Sequence, residues 1–437
     1  MRSATTRTRR RRSRSTRRHP RQPFRRAHID ARLRRDRVAL IAGAAVLVLV
    51  VRCCILAWRS RSPVVPREGG TAVQGTAWTF ALLLTAAFVG YLVALALLRR
   101  APLRLAVVGV IAAAIQLAPL GAPLLLSTDA WTYWDYGRVA AVHGGNPYVD
   151  HPSSYPDDPA LGKMGARWRD KTSVYGPAFT LASEGVAHAA GSSAGAAAWA
   201  YKVIAALAAL ASAGLAASLA QRRALAAAFV GWNPILAVHM AGGGHNDAWL
   251  GLLVLGAITL AALRSAALAG ISWALAVTVK WVPLVFLALQ LLEARARRRR
   301  VGLAGMIAAA AAVSALASWR YGWRWLTALA PLADNARLET RYSFPHRLQS
   351  VGVPRDVALA VAVAILAVGL AWLARRAARG RARIALSACL LLVTTPYLAV
   401  WYLGWAVPLA AADEDDRLAR VIVLGLCAYL LPQTIPL

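Results

Sequence analysis

Three short stretches of this chain hold the residues able to do chemistry. Asp129 stands in STDAWTYWDYGR (127–138), directly after an apolar run. A carboxylate in the first turn of a helix is kept ionised by unpaired backbone N–H groups and the helix dipole. Fixed at a bilayer surface, it can take a proton from a hydroxyl nucleophile. An ordinary first-turn acid that only stabilises its helix would look the same, so both roles stay open. Asp135 is the second candidate, about 1.7 turns further round and on a different face. The second stretch is GGGHND (242–247), set between two apolar segments. Its glycines can end one helix and let backbone approach a ligand closely. Asn246 can cap the next helix, with Asp247 in its first turn and His245 beside them. The third is AVTVKWVP (276–283), where Lys280 lies in the middle of an apolar segment. A lysine at membrane depth is costly unless paired, so an anionic partner is expected.

The elements that must position these residues are membrane helices. Of 437 residues, 58% are hydrophobic and 16% charged, outside the usage of soluble domains. Apolar runs recur along nearly the whole chain, the longer ones approaching the roughly 20 residues that cross a bilayer. The expected fold is all-α, a polytopic bundle of about 11 to 13 transmembrane segments with a long first outer loop. Its parts are an Arg-rich cytoplasmic tail, disordered, at 1–37; N-terminal transmembrane segments at 38–126; the outer loop at 127–175; and a transmembrane bundle at 176–437. The four cysteines, Cys53, Cys54, Cys389 and Cys427, fall in or beside apolar runs without zinc-site spacing and read as small hydrophobes.

Charge sets the expected orientation. The net charge is +32, and residues 1–37 carry 16 arginines against Asp30 and Asp36. Such a tail could bind nucleic acid. It reads instead as a cytoplasmic arm resting on anionic lipid and orienting the first helix, with no nucleic-acid partner. RRAPLR (99–104), QRR (221–223), EARARRRR (293–300) and RRAARGRAR (375–383) are the other dense basic clusters and belong inside by the same rule. This parity places 127–175, the GGGHND break and the C-terminus outside. Between 265 and 292 the chain is short for two crossings and long for one. Two half helices meeting at Lys280 fit best, one long tilted helix being the alternative.

The segment 319–355 falls outside yet carries Arg320, Arg324, Arg337, Arg341, Arg347 and Arg355 against only Asp334 and Glu339. Either the parity is off by one, or these arginines face an anionic ligand, with phosphate the natural match for a guanidinium fork. The outer loop, at roughly fifty residues, is too long for a plain connector. A helix from about Asp129 to Val142 is expected, capped by Ser127 or Thr128 and stopped at Gly144 and Gly145. Its aromatics, Trp131, Tyr133, Trp134 and Tyr136, suit the headgroup layer. Tyr148 of GGNPY (144–148) and Tyr175 of SVYGP (173–177) could stack on a sugar or line a groove. Asp157, Asp158 and Asp170 read as solvated loop acids.

In order, these stretches resemble the GT-C superfamily of integral-membrane glycosyltransferases. They are most similar to bacterial polyprenol-phosphate-mannose-dependent mannosyltransferases that elongate lipomannan-type glycans. STDAWTYWDYGR, GGNPY, VYGP (174–177), NPILAVHMAGGGHNDAW (233–249), AVTVKWVP and TPYLAVWYLGWAVP (395–408) carry the likeness, spanning about 127–408. The resemblance implies that Asp129 is the catalytic base of an inverting hexosyl transfer, most simply of mannose, at the outer face of the plasma membrane. The donor would be a polyprenyl-phosphate sugar and the acceptor a hydroxyl of an envelope glycan or glycolipid. Lys280 with Arg341 or Arg347 would receive the departing phosphate. Arg138, Asn146, Tyr148, Tyr175, His245, Asn246 and Asp247 stand as further substrate contacts. No metal or other cofactor is implied. A transporter or flippase-like protein for a lipid-linked or anionic substrate is the competing class, since transporters also use broken helices. Against it stand the absence of an internal hydropathy repeat and the long acidic-aromatic outer loop.

Overall fold

The computed structural model describes residues 22–59, 61–66, 74–328 and 338–437, with side chains from Arg37 in the first helix and Gly75 in the second. Among the described residues the chain is helical and without a strand. The helices are α1 (Gln22–Ala57), α2 (Gln74–Arg100), α3 (Leu105–Leu117), α4 (Asp129–Ala141), α5 (Pro177–Ala190), α6 (Ala194–Leu219), α7 (Arg223–Gly231), α8 (Pro234–Leu236) and α9 (Asp247–Ala262). They continue as α10 (Ala266–Val279), α11 (Pro283–Ala296), α12 (Leu303–Tyr321), α13 (Phe344–Gln349), α14 (Arg355–Ala378), α15 (Ile384–Thr394), α16 (Leu403–Ala412) and α17 (Arg417–Leu430).

Six helices are long and apolar enough to cross a bilayer: Arg37–Ala57, Gly75–Arg100, Ala194–Leu219, Arg223–Ala241, Leu303–Ala328 and Arg355–Ala378. A total of 11 to 13 would require shorter apolar helices, such as Asp247–Ala262 and Ala266–Val279, to serve as crossings as well. At about 1.5 Å per residue, the 14 residues of α10 reach only ~21 Å, less than the ~30 Å of a hydrocarbon core. α1 begins at Gln22, so residues 22–37, expected as part of a disordered tail, extend the first helix; residues 1–21 of that tail lie outside the described residues.

The span Arg223–Ala241 is wholly buried, which makes it the centre of the bundle. It is also bent, and the bend is locally encoded. Pro234 cannot continue the hydrogen-bond ladder. The Asn233 side chain accepts from Ile235 N at 3.0 Å and Leu236 N at 3.3 Å, restarting the helix as α8. Gln116 Nε2 donates to Gly231 O at 3.1 Å, satisfying a carbonyl the bend exposes. A π-helical turn, Ala237–Ala241, follows, and the helix ends where Gly244 turns left-handed at φ +70°.

The basic clusters gather at one end. Arg297 Nε donates to Gly380 O. Arg383 binds Asp416 through both oxygens, at 2.6 and 2.9 Å. Glu414 accepts from Arg222 N at 2.6 Å. Residues 222, 297, 380–383 and 414–416 thus form one linked surface, at the opposite end of α9 and α10 from Asp247 and Lys280. The cysteines are buried and unpaired.

Candidate active site

The segment before α4 is tied down on three sides. Buried Lys202 donates to Ala122 O and, at 3.4 Å, to Pro123 O. Leu125 N donates to Gly242 O at 3.0 Å, and Leu126 N to Val64 O at 2.8 Å. Ser127 Oγ then accepts from Asp129 N at 3.1 Å, so the expected cap is made by Ser127 and not by the Thr128 side chain. These contacts bring the N-terminus of α4 against the glycine break of the central helix.

Asp129 meets that break directly. Its Oδ2 lies 3.3 Å from Nδ1 of fully buried His245, and the Tyr133 hydroxyl donates to the same oxygen at 3.4 Å. The His245 ring is stacked on Trp401, centroids 4.3 Å apart and planes at 11°. Burial pushes the Asp129 carboxyl up. His245, the Ser127 hydroxyl and the Lys280 charge outweigh that push and hold it below the ordinary carboxylate range. The carboxylate is therefore ionised at neutral pH, with 18% of its side chain exposed.

Two residues along, Asp247 is buried in the first turn of α9. Lys280 Nζ donates to its Oδ1 at 2.8 Å, and Trp405 Nε1 to the same oxygen at 3.0 Å. The half-helix reading holds: α10 stops at Val279, Lys280 is extended, and Pro283 opens α11. The anionic partner demanded by Lys280 is a carboxylate of the chain itself. Lys280 also sits 4.9 Å above the Tyr402 ring. The SVYGP loop closes on this turn, since Gly176 N donates to Val279 O at 3.2 Å. A Cβ at Gly176 would come within 2.1 Å of Thr278 O, so only glycine fits there.

Asp129 and Lys280 face one cavity of about 450 Å³, walled by Tyr133, Trp168, Tyr175, Trp281, Tyr397, Trp401, Tyr402 and Trp405, with Leu391 and Leu392 adding an aliphatic side. Aromatic faces, one carboxylate and one ammonium can hold a sugar ring between a base and an anionic group. A second cavity of about 320 Å³, lined by Arg341, shares Tyr397 and Trp401 as walls.

Of the residues singled out from the sequence, Asp129, Lys280 and Tyr175 line the larger cavity, while His245 and Asp247 stand directly behind it. Asn246 occupies the N-cap position of α9, but its side chain makes no capping bond, and both its polar atoms are buried without a partner among the described residues. Arg138 is bound elsewhere, to Asp158 Oδ1 at 2.8 Å and Gly191 O at 2.6 Å. Asn146 holds a turn, donating to Tyr321 O at 2.7 Å, and Tyr148 donates to Thr180 Oγ1 at 2.8 Å. Arg347 lies outside both cavities, bonded to Tyr429 Oη at 2.7 Å and packed over Tyr342.

Three expectations are corrected. Tyr133, Trp134 and Tyr136 do not form an exposed aromatic face of the kind that suits headgroups. They are buried because α4 packs on α5 and α6, with Tyr133 edge-on to Tyr175, Phe179 and Tyr201 at 5.0–5.4 Å. Asp158 is not a solvated loop acid. It is buried, and besides Arg138 it binds His143 Nε2 at 2.6 Å. The arginines of 319–355 do not all face a ligand: Arg320 pairs with Glu184 and Arg355 with Glu339, each at 2.8 Å. Arg337 and Asp334 lie outside the described residues. Asp135 is buried but does not line the cavity; burial and the like charge of Asp158 raise its carboxyl to about 7. Tyr397, Trp401, Tyr402 and Trp405 of TPYLAVWYLGWAVP add cavity walls that no single residue type in that stretch announces, although the density of rings in an apolar segment is a visible signal.

An apolar helical bundle with a carboxylate and an ammonium facing one aromatic cavity marks a membrane protein with a polar centre among its helices. Residues 38–297, more than half of the chain, match the family model described as alpha-(1→6)-mannopyranosyltransferase, N-terminal domain (MptA_B family). The chain belongs to this family, and its class is therefore that of the glycosyltransferases. Neither a curated protein nor a solved structure matches it. The matched segment includes Asp129, the glycine break and Lys280, and ends before the aromatic segment 395–408.

Proposed function

We propose that the protein transfers mannose from a polyprenyl-phosphate donor to a hydroxyl of a mannan-type acceptor, with inversion, at the outer face of the plasma membrane. The observation that carries this reading is that Asp129 and Lys280 share one aromatic cavity. Asp129 takes the proton from the acceptor hydroxyl as its oxygen attacks the anomeric carbon. The bond from that carbon to the phosphate oxygen breaks, and its electron pair leaves on the polyprenyl phosphate. A β-linked donor then yields an α-linked product. Lys280, held by Asp247, supplies positive charge where the leaving group develops negative charge. Leu391, Leu392 and Val282 offer an apolar side for the first part of the lipid. The scheme uses no metal or other cofactor and no nucleic acid. The gathering of basic clusters at the opposite end of the bundle supports a cytoplasmic N-terminus and an extracytoplasmic site.

The test is transfer of labelled mannose from polyprenyl-phosphate mannose to a short α-(1→6)-mannoside in membranes containing the protein. Asp129→Asn keeps the shape of the side chain and removes the base; it is expected to lower kcat by about 10³-fold. Equal transfer by the variant overturns the role of Asp129, and no transfer by the native protein across several polyprenyl-linked donors overturns the reading as a whole.

A further inference from the structure

We propose that the second cavity, behind the Tyr397 and Trp401 rings, is a subsite for sugar units of the acceptor chain lying away from the reacting hydroxyl; it rests on the transferase reading above. The cavity of about 320 Å³ is lined by Arg341, Tyr397, Trp401, Gln433 and Thr434 among others, and lies within the range of small-ligand sites. Tyr397 and Trp401 line both this cavity and that of Asp129, which makes the two neighbours.

The polar atoms identify the ligand. Arg341 stacks on Tyr342 at 5.1 Å and bonds its hydroxyl through Nη2 at 3.1 Å, which fixes the guanidinium while leaving further N–H donors. Gln433 Nε2 is occupied by Leu398 O, which sets the orientation of the amide. Gln433 Oε1 and Thr434 Oγ1 are buried and have no hydrogen-bond partner among the described residues. A buried acceptor left unpaired costs about 1–3 kcal/mol, so a ligand that donates to it is favoured. A phosphate dianion has acceptor oxygens only and would face Gln433 Oε1 without a proton to share. A sugar hydroxyl donates to the amide oxygen and accepts from the guanidinium, and the ring faces of Tyr397 and Trp401 suit the C–H face of a pyranose. A neutral hexose therefore matches the donors and the acceptor of this lining better than a phosphate, which offers no proton to Gln433 Oε1. This assigns Arg341 to the acceptor, away from the leaving phosphate. The subsite lies beyond residues 38–297, so acceptor choice is set by a part of the chain separate from the base and the lysine.

The test uses the full chain in detergent. Binding of α-(1→6)-linked mannotriose is followed by saturation-transfer NMR for the native protein, Arg341→Leu and Thr434→Val, the last replacing one oxygen by a methyl group with little change of shape. Transfer to mannotriose is measured on the same samples. Native protein is expected to bind mannotriose, and each variant to weaken binding about tenfold and raise the acceptor KM by a similar factor, with the donor KM unmoved. Undiminished binding in both variants, no binding by the native protein, or a rise in donor KM in place of acceptor KM overturns the subsite. Mannotriose binding that depends on Arg341, with no transfer from any of several polyprenyl-linked donors, keeps the cavity as a mannoside site and overturns the transferase reading instead.

Discussion

His245 Nδ1 lies 3.3 Å from Asp129 Oδ2, which joins the glycine break of the central helix to the first turn of α4. The contact is the principal reason a buried carboxyl stays ionised: burial raises it, and His245 heads the interactions that bring it down. Removing the imidazole leaves burial dominant. In His245→Ala the acid limb of kcat/KM is therefore expected to move up, while the native limb lies below the ordinary Asp range. His245→Gln, which keeps a donor, should fall between them. A pH profile that does not move in His245→Ala would show that His245 only fills space.

Lys280 and Asp247 form a pair in which the carboxylate side is fully buried. Lys280→Met strands that carboxylate beside Trp405 and should cost about 3 kcal/mol of stability. The double variant Lys280→Met/Asp247→Asn removes both charges and should recover most of the loss in thermal melting. Transfer should stay low in both, because the cation facing the cavity is absent. Recovered transfer in the double variant would mean that the ammonium serves only its carboxylate.

Asp158 locks the outer loop through Arg138 and His143. Burial raises its carboxyl, but the bonds from Arg138, Ala160 N and His143 hold it below the ordinary range. The stability it contributes is thus present above the unfolded carboxyl value of ~3.9 and lost as pH falls through its lower folded value. Asp158→Asn strands the Arg138 guanidinium, and a loss of about 3 kcal/mol is expected at neutral pH. Limited proteolysis within 142–172 should speed up accordingly; unchanged cleavage would count against the lock.

Asp135 shows the opposite sign. Burial and Asp158 raise its carboxyl to about 7, so ionisation is harder in the folded chain than in the unfolded one. The penalty is absent below ~4, grows between ~4 and 7, and reaches up to about 4 kcal/mol above both values. Asp135→Asn should therefore melt higher than the native protein at pH 8 and nearly level with it at pH 4.

Several of these relationships were legible from residue order alone. The apolar runs announce the helices, Pro283 and Lys280 mark the turn between α10 and α11, and the glycines 242–244 mark the end of the central helix, whereas its earlier break at Pro234 is not among the expectations. Asp129 at a helix start follows from Ser127 and the apolar run before it. What stayed hidden were pairings between distant residues. Arg320 and Glu184 are 136 positions apart, and Lys280 and Asp247 are 33 apart. Each charge is visible, but the partner depends on which helices pack together. The aromatics of α4 fit an interface and a core equally well, and only the packing of α5 and α6 decides between them. Arg138 and Asn146, drawn in by the motifs around them, turn out to hold loop structure, because a motif keeps its scaffolding residues alongside its reactive ones.

The contact at Gly176 has a mechanical consequence. With no room for even one methyl group between that residue and the Thr278 carbonyl, the stretch bearing Tyr175 cannot slide past the hinge bearing Lys280. That packing ties together the two walls that carry Tyr175 and Lys280, on either side of a contact where no larger residue can stand.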